Sequence, residues 1–270
     1  MDHQKRDLFP HILSYQLDYN RREFISKAAG GIMFAAVSDT ASIQREFIKG
    51  NIKAVVFDGF AIFDPRPVFA LAERLYPDKG KEIAEIWRTK QFEYTWLRES
   101  GDNYKNFREV SGDALVFAAR KAQVSLNERN KKSLLDLYYS LEPWPDVLPV
   151  LDMLKNKNLK LGFLSNLTDA MLDASIRHSN LKGYFDAIIS TDLIKTYKPS
   201  RRSYQMGVDA FRLKKSEILF VAFAGWDAAG AKWFGYPVYW VNRLQVPEEE
   251  LNVAIDMSGK TLDGIGKLIG

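Results

Sequence analysis

The sequence predicts an α/β fold: a parallel sheet covered by helices, with a helical cap domain inserted after the first strand. Three observations carry this expectation. Short, β-branched, nearly continuous apolar runs recur from Ile52 onward, as strands buried on both faces should read. Helical patterns separate the later runs, and repeated β-α units argue for a parallel, Rossmann-like sheet with helices on both faces. The stretch 67–142 contains no convincing strand but has apolar residues near helical spacing, such as Ile83, Ile86, Trp87, Tyr94 and Leu97.

The elements follow in order. Residues 1–42 are set aside as an address. Asn20-Arg21-Arg22-Glu23-Phe24 precedes an apolar run from Ala28 to Ser38, and a paired arginine before such a run resembles a twin-arginine export signal. The run is about eleven residues, too short to span a bilayer, which needs about 20. The expectation is export to the periplasm by the twin-arginine machinery, with a cytoplasmic protein carrying an N-terminal amphipathic helix as the alternative. The core domain is expected over 50–66 and 143–248, the cap over 67–142, and a tail packed on the core over 249–270. Strands are predicted at Ile52–Phe57, Leu159–Leu164, Ala187–Ile189, Ile218–Phe223 and Val238–Val241. Helices are predicted at Thr168–Ser179, Arg201–Leu213 and Ala228–Phe234, and Pro143-Trp144-Pro145 marks the return from the cap. A cap inserted after the first strand sits over the carboxyl ends of the strands, where open α/β sheets bind ligands.

Composition narrows the function classes. The net charge of +4 comes from 38 basic and 34 acidic residues spread along the chain, with no Lys/Arg block of the kind that grips nucleic acid. Cys is absent, which removes disulfides, thiolate metal sites and a Cys nucleophile. Only His3, His11 and His178 are present, so a His-rich metal site is not expected.

Polar residues end the apolar runs. Asp58 ends the first, Ser165 and Asn166 the second, Lys198 lies in the loop after the third, and Trp226-Asp227 follows the fourth. A strand-end carboxylate facing the crevice is a nucleophile, a metal ligand or a helix cap, and a nearby Lys favours its charged form.

These strand-end signals in this order, with a cap after the first, resemble the haloacid dehalogenase superfamily. Ile86-Trp87-Arg88-Thr89-Lys90-Gln91-Phe92-Glu93-Tyr94-Thr95-Trp96-Leu97-Arg98 is similar to the cap helix of the L-2-haloacid dehalogenases, as are Ile218–Ala222 and Trp226–Ala231. The likeness covers about residues 51–244. It implies a hydrolytic dehalogenase of small L-2-haloacids, with no cofactor and no metal. Asp58 would attack the halogen-bearing carbon and form an aspartyl ester, which water then hydrolyses. Arg88 would receive the halide, Lys198 would hold Asp58 ionised with support from Tyr204, which also counts among the substrate-binding groups, and Asp227 would position the water. Ser165 and Asn166 would bind the substrate carboxylate, and Phe60, Phe92, Phe107 and Trp226 would wall an apolar pocket. A homodimer is a further implication.

Three departures from the family pattern affect the expected chemistry. The first loop, Asp58-Gly59-Phe60-Ala61-Ile62-Phe63-Asp64, is one residue shorter and lacks a Thr, while Ala222 and Ala224 replace a Ser and an Asn. These losses point to an ester that forms faster than it breaks down. Two competing readings stay open: an exported binding protein that has lost turnover, and a Mg²⁺-dependent phosphatase. The latter wants a second Asp where Phe60 stands and an acidic ligand where Ala222 stands.

Overall fold

The computed structural model describes residues 51–269. The expected export signal lies outside the described residues. Six strands form one parallel sheet: β1 (Ala54–Phe57), β2 (Lys160–Ser165), β3 (Ala187–Ser190), β4 (Ile218–Ala222), β5 (Val238–Val241) and β6 (Met257–Gly259), in the order β3-β2-β1-β4-β5-β6. All five strands predicted from apolar runs are present, with ends shifted by up to two residues. β6 was not predicted, because Met-Ser-Gly offers no apolar run; it is fixed by pairing with β5, Trp240 against Ser258.

β1 lies between β2 and β4, with Phe57 opposite both Phe163 and Val221. Its residues are fully buried and alternate between two cores. Val55 and Phe57 join Leu161, Phe163, Leu219 and Val221 on one face. Ala54 and Val56 join Leu164, Phe220 and Ala222 on the other. Period-2 alternation thus serves both faces. Chain order reverses between β1 and β4, which makes the carboxyl ends of these two strands the switch point where such sheets bind ligands.

A helical turn, α1 (Gly59–Ile62), follows β1 directly. Four helices come next: α2 (Arg66–Leu75), α3 (Gly80–Ser100), α4 (Phe107–Lys121) and α5 (Glu128–Asp136). α4 begins with a capping box between Asn106 and Glu109, and Asn127 caps α5; such caps satisfy N–H groups that the first turn leaves free. α3 buries Ile83, Ala84, Trp87, Gln91 and Thr95, a stripe at helical spacing. Glu85, Arg88, Phe92 and Trp96 run along a neighbouring stripe and line a cleft.

The remaining helices are α6 (Val147–Asn156), α7 (Asp169–His178), α8 (Arg201–Phe211), α9 (Gly225–Phe234) and the terminal turn α10 (Gly266–Ile269). α7, α8 and α9 fall on the predicted helical segments. α6 went unpredicted although Val147, Val150, Leu151 and Leu154 are buried at helical spacing. The tail adds β6 to the sheet and buries Leu262, Ile265 and Leu268 in the core on the Phe57 side.

Candidate active site

The site is built where β1, β2 and β4 end. Asp58 leaves β1 in extended backbone and caps α1, its Oδ2 accepting a 3.0 Å hydrogen bond from the Phe60 N–H. Gly59 is required by close approach: a Cβ there would stand 2.7 Å from Ser165 Oγ and 2.9 Å from the Leu167 side chain. Ser165 Oγ accepts from the Leu167 N–H at 3.1 Å, which fixes the β2 turn.

Lys198 enters from the loop between β3 and α8. Its side chain is 1% exposed, and Nζ stands 2.6 Å from Asp58 Oδ1 and 2.6 Å from Asp227 Oδ2. Burial alone would depress an ammonium, but the two carboxylates outweigh it and the Lys198 pKa is raised. The loop is oriented by Asn166, whose Oδ1 accepts from the Lys198 N–H at 2.9 Å and from Thr191 Oγ1 at 3.2 Å. From the other side Glu99, near the end of α3, accepts from Thr196 Oγ1 at 2.6 Å and from the Tyr197 N–H at 2.9 Å.

Asp227 is buried in the first turn of α9. Desolvation raises its pKa to about 6; Lys198 pulls it back down and the Asp58 charge pushes it up again. Its Oδ1 accepts a 2.7 Å hydrogen bond from Tyr204, whose own pKa is raised well above normal by burial, keeping it a phenol and a donor. Gly230 makes room for this contact, since a Cβ there would meet Tyr204 OH at 2.6 Å.

A small cavity of about 20 Å³ faces these groups, lined by Asp58, Phe60, Phe92, Phe107, Ser165, Asn166 and, around the end of β4, Ala224, Trp226 and Asp227. Nine of the eleven residues singled out from the sequence thus line this cavity or, as Lys198, contact its carboxylates. Two do not sit as expected. Tyr204 was placed among the substrate-binding groups; it is fully buried and lines no part of the cavity, its hydroxyl being spent on Asp227 Oδ1. Arg88 is solvent-exposed on α3 and lines the adjoining cleft instead. It makes no ion pair with another described residue.

The carboxylates present are Asp58 and Asp227, and the Lys198 ammonium bridges both. Phe60 and Ala224 place hydrocarbon where further oxygen ligands would have to stand. A hard divalent ion prefers six or more oxygens, and the donor set does not fit one.

The haloacid dehalogenase-like hydrolase family matches residues 93–241. An (S)-2-haloacid dehalogenase of Pseudomonas sp. (strain YL) is 38% identical over 218 residues, 80% of this chain and 94% of that protein. The chain belongs to the L-2-haloacid dehalogenase family. A solved L-2-haloacid dehalogenase superposes with a TM-score of 0.79 at 36% identity, covering 81% of this chain and 99% of that one. The L-2-haloacid dehalogenase of Xanthobacter autotrophicus, solved with chloropropionic acid covalently bound, gives 0.74 at 32% identity, covering 80% and 98%.

Sequence reasoning missed what holds the shortened loop of this dehalogenase-family site. Trp144 Nε1 donates to Phe60 O at 3.0 Å, the Trp144 N–H donates to Ile62 O at 3.0 Å, and Arg243 donates to Ala61 O at 2.9 Å. Three successive carbonyls of α1 are therefore gripped from outside. Arg243 is 4% exposed and pairs with Asp146 at 2.8 Å, and its guanidinium lies 4.6 Å from the Trp144 ring centroid, with Arg66 at 4.5 Å. Pro143-Trp144-Pro145 read only as a boundary marker; a Trp between two prolines was the available signal.

Proposed function

We propose that this protein is a hydrolytic dehalogenase that converts (S)-2-haloacids to (R)-2-hydroxy acids through an ester on Asp58. The observation that supports this reading most is the Asp58–Lys198–Asp227 arrangement, a strand-end carboxylate fixed by a buried ammonium and facing an apolar cavity. In the first step an Asp58 oxygen attacks C2 in line, the carbon–halogen bond breaks, and halide leaves toward Arg88. Ser165 and the Asn166 amide nitrogen receive the substrate carboxylate; Asn166 Oδ1 is already occupied, which leaves its NH₂ as the available donor. In the second step water attacks the Asp58 carbonyl carbon and one of its protons passes to Asp227. The acyl–oxygen bond breaks, the leaving oxygen takes the other water proton to give the 2-hydroxy acid, Asp58 returns to a carboxylate, and Asp227 releases its proton to solvent. The Asp58 oxygen that does not carry the ester becomes the oxyanion and keeps its own donor, Lys198 on Oδ1 or the Phe60 N–H on Oδ2, and one such donor contributes about 10²–10³ in rate.

α9 starts at Ala224 with no side-chain cap, so the residue that would carry a polar group toward the water offers only a methyl. Hydrolysis is therefore the slower half. The test is halide release from (S)-2-chloropropanoate together with mass spectrometry of rapidly quenched protein. The expected result is turnover with alkylated Asp58 accumulating, and neither turnover nor adduct in Asp58→Asn. Halide release by verified Asp58→Asn would sink the assignment.

Export by the twin-arginine route remains part of the proposal, motivated by Arg21-Arg22 before the Ala28–Ser38 run. Replacing both arginines with Lys should hold the protein in the cytoplasm, and unchanged fractionation would reject the signal.

A further inference from the structure

The walls of the Asp58 cavity do not close it off. Phe60, Phe92, Phe223, Ala224 and Trp226 line both that cavity and a second, far larger cleft. The inner cavity measures about 20 Å³, room for about one water, and the cleft about 840 Å³. The two spaces share a boundary in which Ala224 is the smallest side chain. A methyl at this position takes less room in that shared wall than any larger side chain would.

The cleft's chemistry is that of a hydrocarbon site. Phe69, Trp96, Leu244 and Val246 extend the aromatic wall begun by Phe92 and Trp226. Phe92 and Trp226 meet edge to face at 5.4 Å, and Trp96 and Trp226 at 5.5 Å. The buried Gln91 has its amide nitrogen bound to Ser111 and Tyr138, so it has little polarity to offer a ligand. Arg66, Glu73, Lys81 and Glu85, also on the cleft, are exposed to water. An elongated space with apolar walls, charged groups in solvent and one end open to the nucleophile suits an amphipathic molecule whose polar head reaches Asp58.

We infer that the cleft is a tail-binding subsite, and that the substrate class is 2-haloacids with a long alkyl or arylalkyl chain. The head stands at the boundary of the two spaces, its carboxylate turned toward Ser165 and Asn166 and C2 toward Asp58, and the chain lies along the Phe92–Trp226 wall. This inference rests on the dehalogenase reading for the position of the head. Each methylene moved from water to an apolar wall contributes up to about fourfold in affinity, so a short acid forgoes most of the binding the cleft provides.

The experiment has a binding arm and a turnover arm. In the first, (R)-lactate, (R)-2-hydroxyhexanoate, (R)-2-hydroxyoctanoate and (R)-3-phenyllactate, which carry no leaving group, are titrated into the full chain by calorimetry. The expected result is a Kd falling at least about twofold per added methylene. Ala70→Trp on α2 and Leu244→Asp after β5 each alter the cleft lining, from different elements. Each should cut the octanoate-to-lactate affinity ratio at least tenfold. In the second arm, kcat/KM for halide release is compared between (S)-2-chloropropanoate and (S)-2-chlorooctanoate, with the longer acid favoured. Flat affinities across the series, or a ratio unmoved by both variants, overturn the subsite. Release from both acids without preference for the longer also overturns it while leaving the dehalogenase assignment standing. Affinity that rises with chain length while no acid releases halide keeps the subsite and overturns the activity.

Discussion

Lys198 and Arg88 are the two cations that the proposed chemistry uses, and the fold treats them in opposite ways. Lys198 is enclosed, with a carboxylate at 2.6 Å on each side and its own backbone fixed by Asn166. Arg88 stands in solvent on α3 and pairs with no other described residue. An ammonium already held by two carboxylates is a preorganised part of the wall: it acts without moving, and it has no capacity left for a departing anion. An unpaired guanidinium can accept a halide but must be brought to it. In the proposed mechanism one cation therefore serves the oxygen atoms of Asp58, and the other serves whatever leaves.

Lys198→Met tests the fixed side and should have the largest effect. It strands two buried carboxylates, so a loss of about 3–5 kcal/mol in stability is expected, with halide release down by about 10³ or more. Urea midpoints and initial rates measure the two losses, and a variant within tenfold of the parent in rate would mean that the enclosed cation is structural only.

Arg88→Gln tests the free side. Halide release should drop about 10²-fold with the urea midpoint unchanged, since an exposed unpaired side chain contributes little to the fold. The loss should be greater for chloride than for bromide or iodide, because the poorer leaving group needs more help. Equal losses for all three halides would assign Arg88 to substrate binding rather than to departure.

The smallest effect is a pH dependence. Asp227 has its pKa raised to about 6, so it loses its negative charge as pH falls through that value, while Lys198, raised in turn, stays an ammonium. Ester hydrolysis, which in the proposed mechanism uses Asp227 as the proton acceptor, should slow by up to about fivefold from pH 6 to pH 5, and by less where esterification removes the Asp58 charge that helps to raise Asp227. Single-turnover decay of alkylated Asp58 isolates this step. A decay rate flat between pH 5 and 7 would remove Asp227 from it.

The difference between the two cations also marks what was legible in the sequence. Asp58, Ser165 and Asn166 close apolar runs, so their place at one edge of the sheet follows from strand direction and parallel topology alone. That Lys198 and Asp227 join them needed the family likeness, because loop residues carry no periodic signal. The position of Arg88 was not legible even so: the likeness names the residue, but its distance from the cavity is set by how α3 packs. Tyr204 was read as facing substrate because α8 shows its apolar face without showing which neighbour it meets. The clamp on the shortened loop was the least visible feature, as Arg243 reaches Ala61 across 182 positions and Trp144 reaches Phe60 across 84. Nothing local at either end reports a partner so far away.

Arg243 has a consequence for the order in which the protein is made. It bonds to Ala61 just beyond the nucleophile, and it shares Asp146 with the N–H of Leu262, which donates to Asp146 Oδ2 at 2.6 Å. The segment around Asp58 is among the first parts of the described chain to leave the ribosome, yet its support includes residues translated some two hundred codons later. A nascent chain can fold its first strands and cap helices while the nucleophile is still unbraced. The brace on the nucleophile loop thus waits for residues translated long after the nucleophile itself.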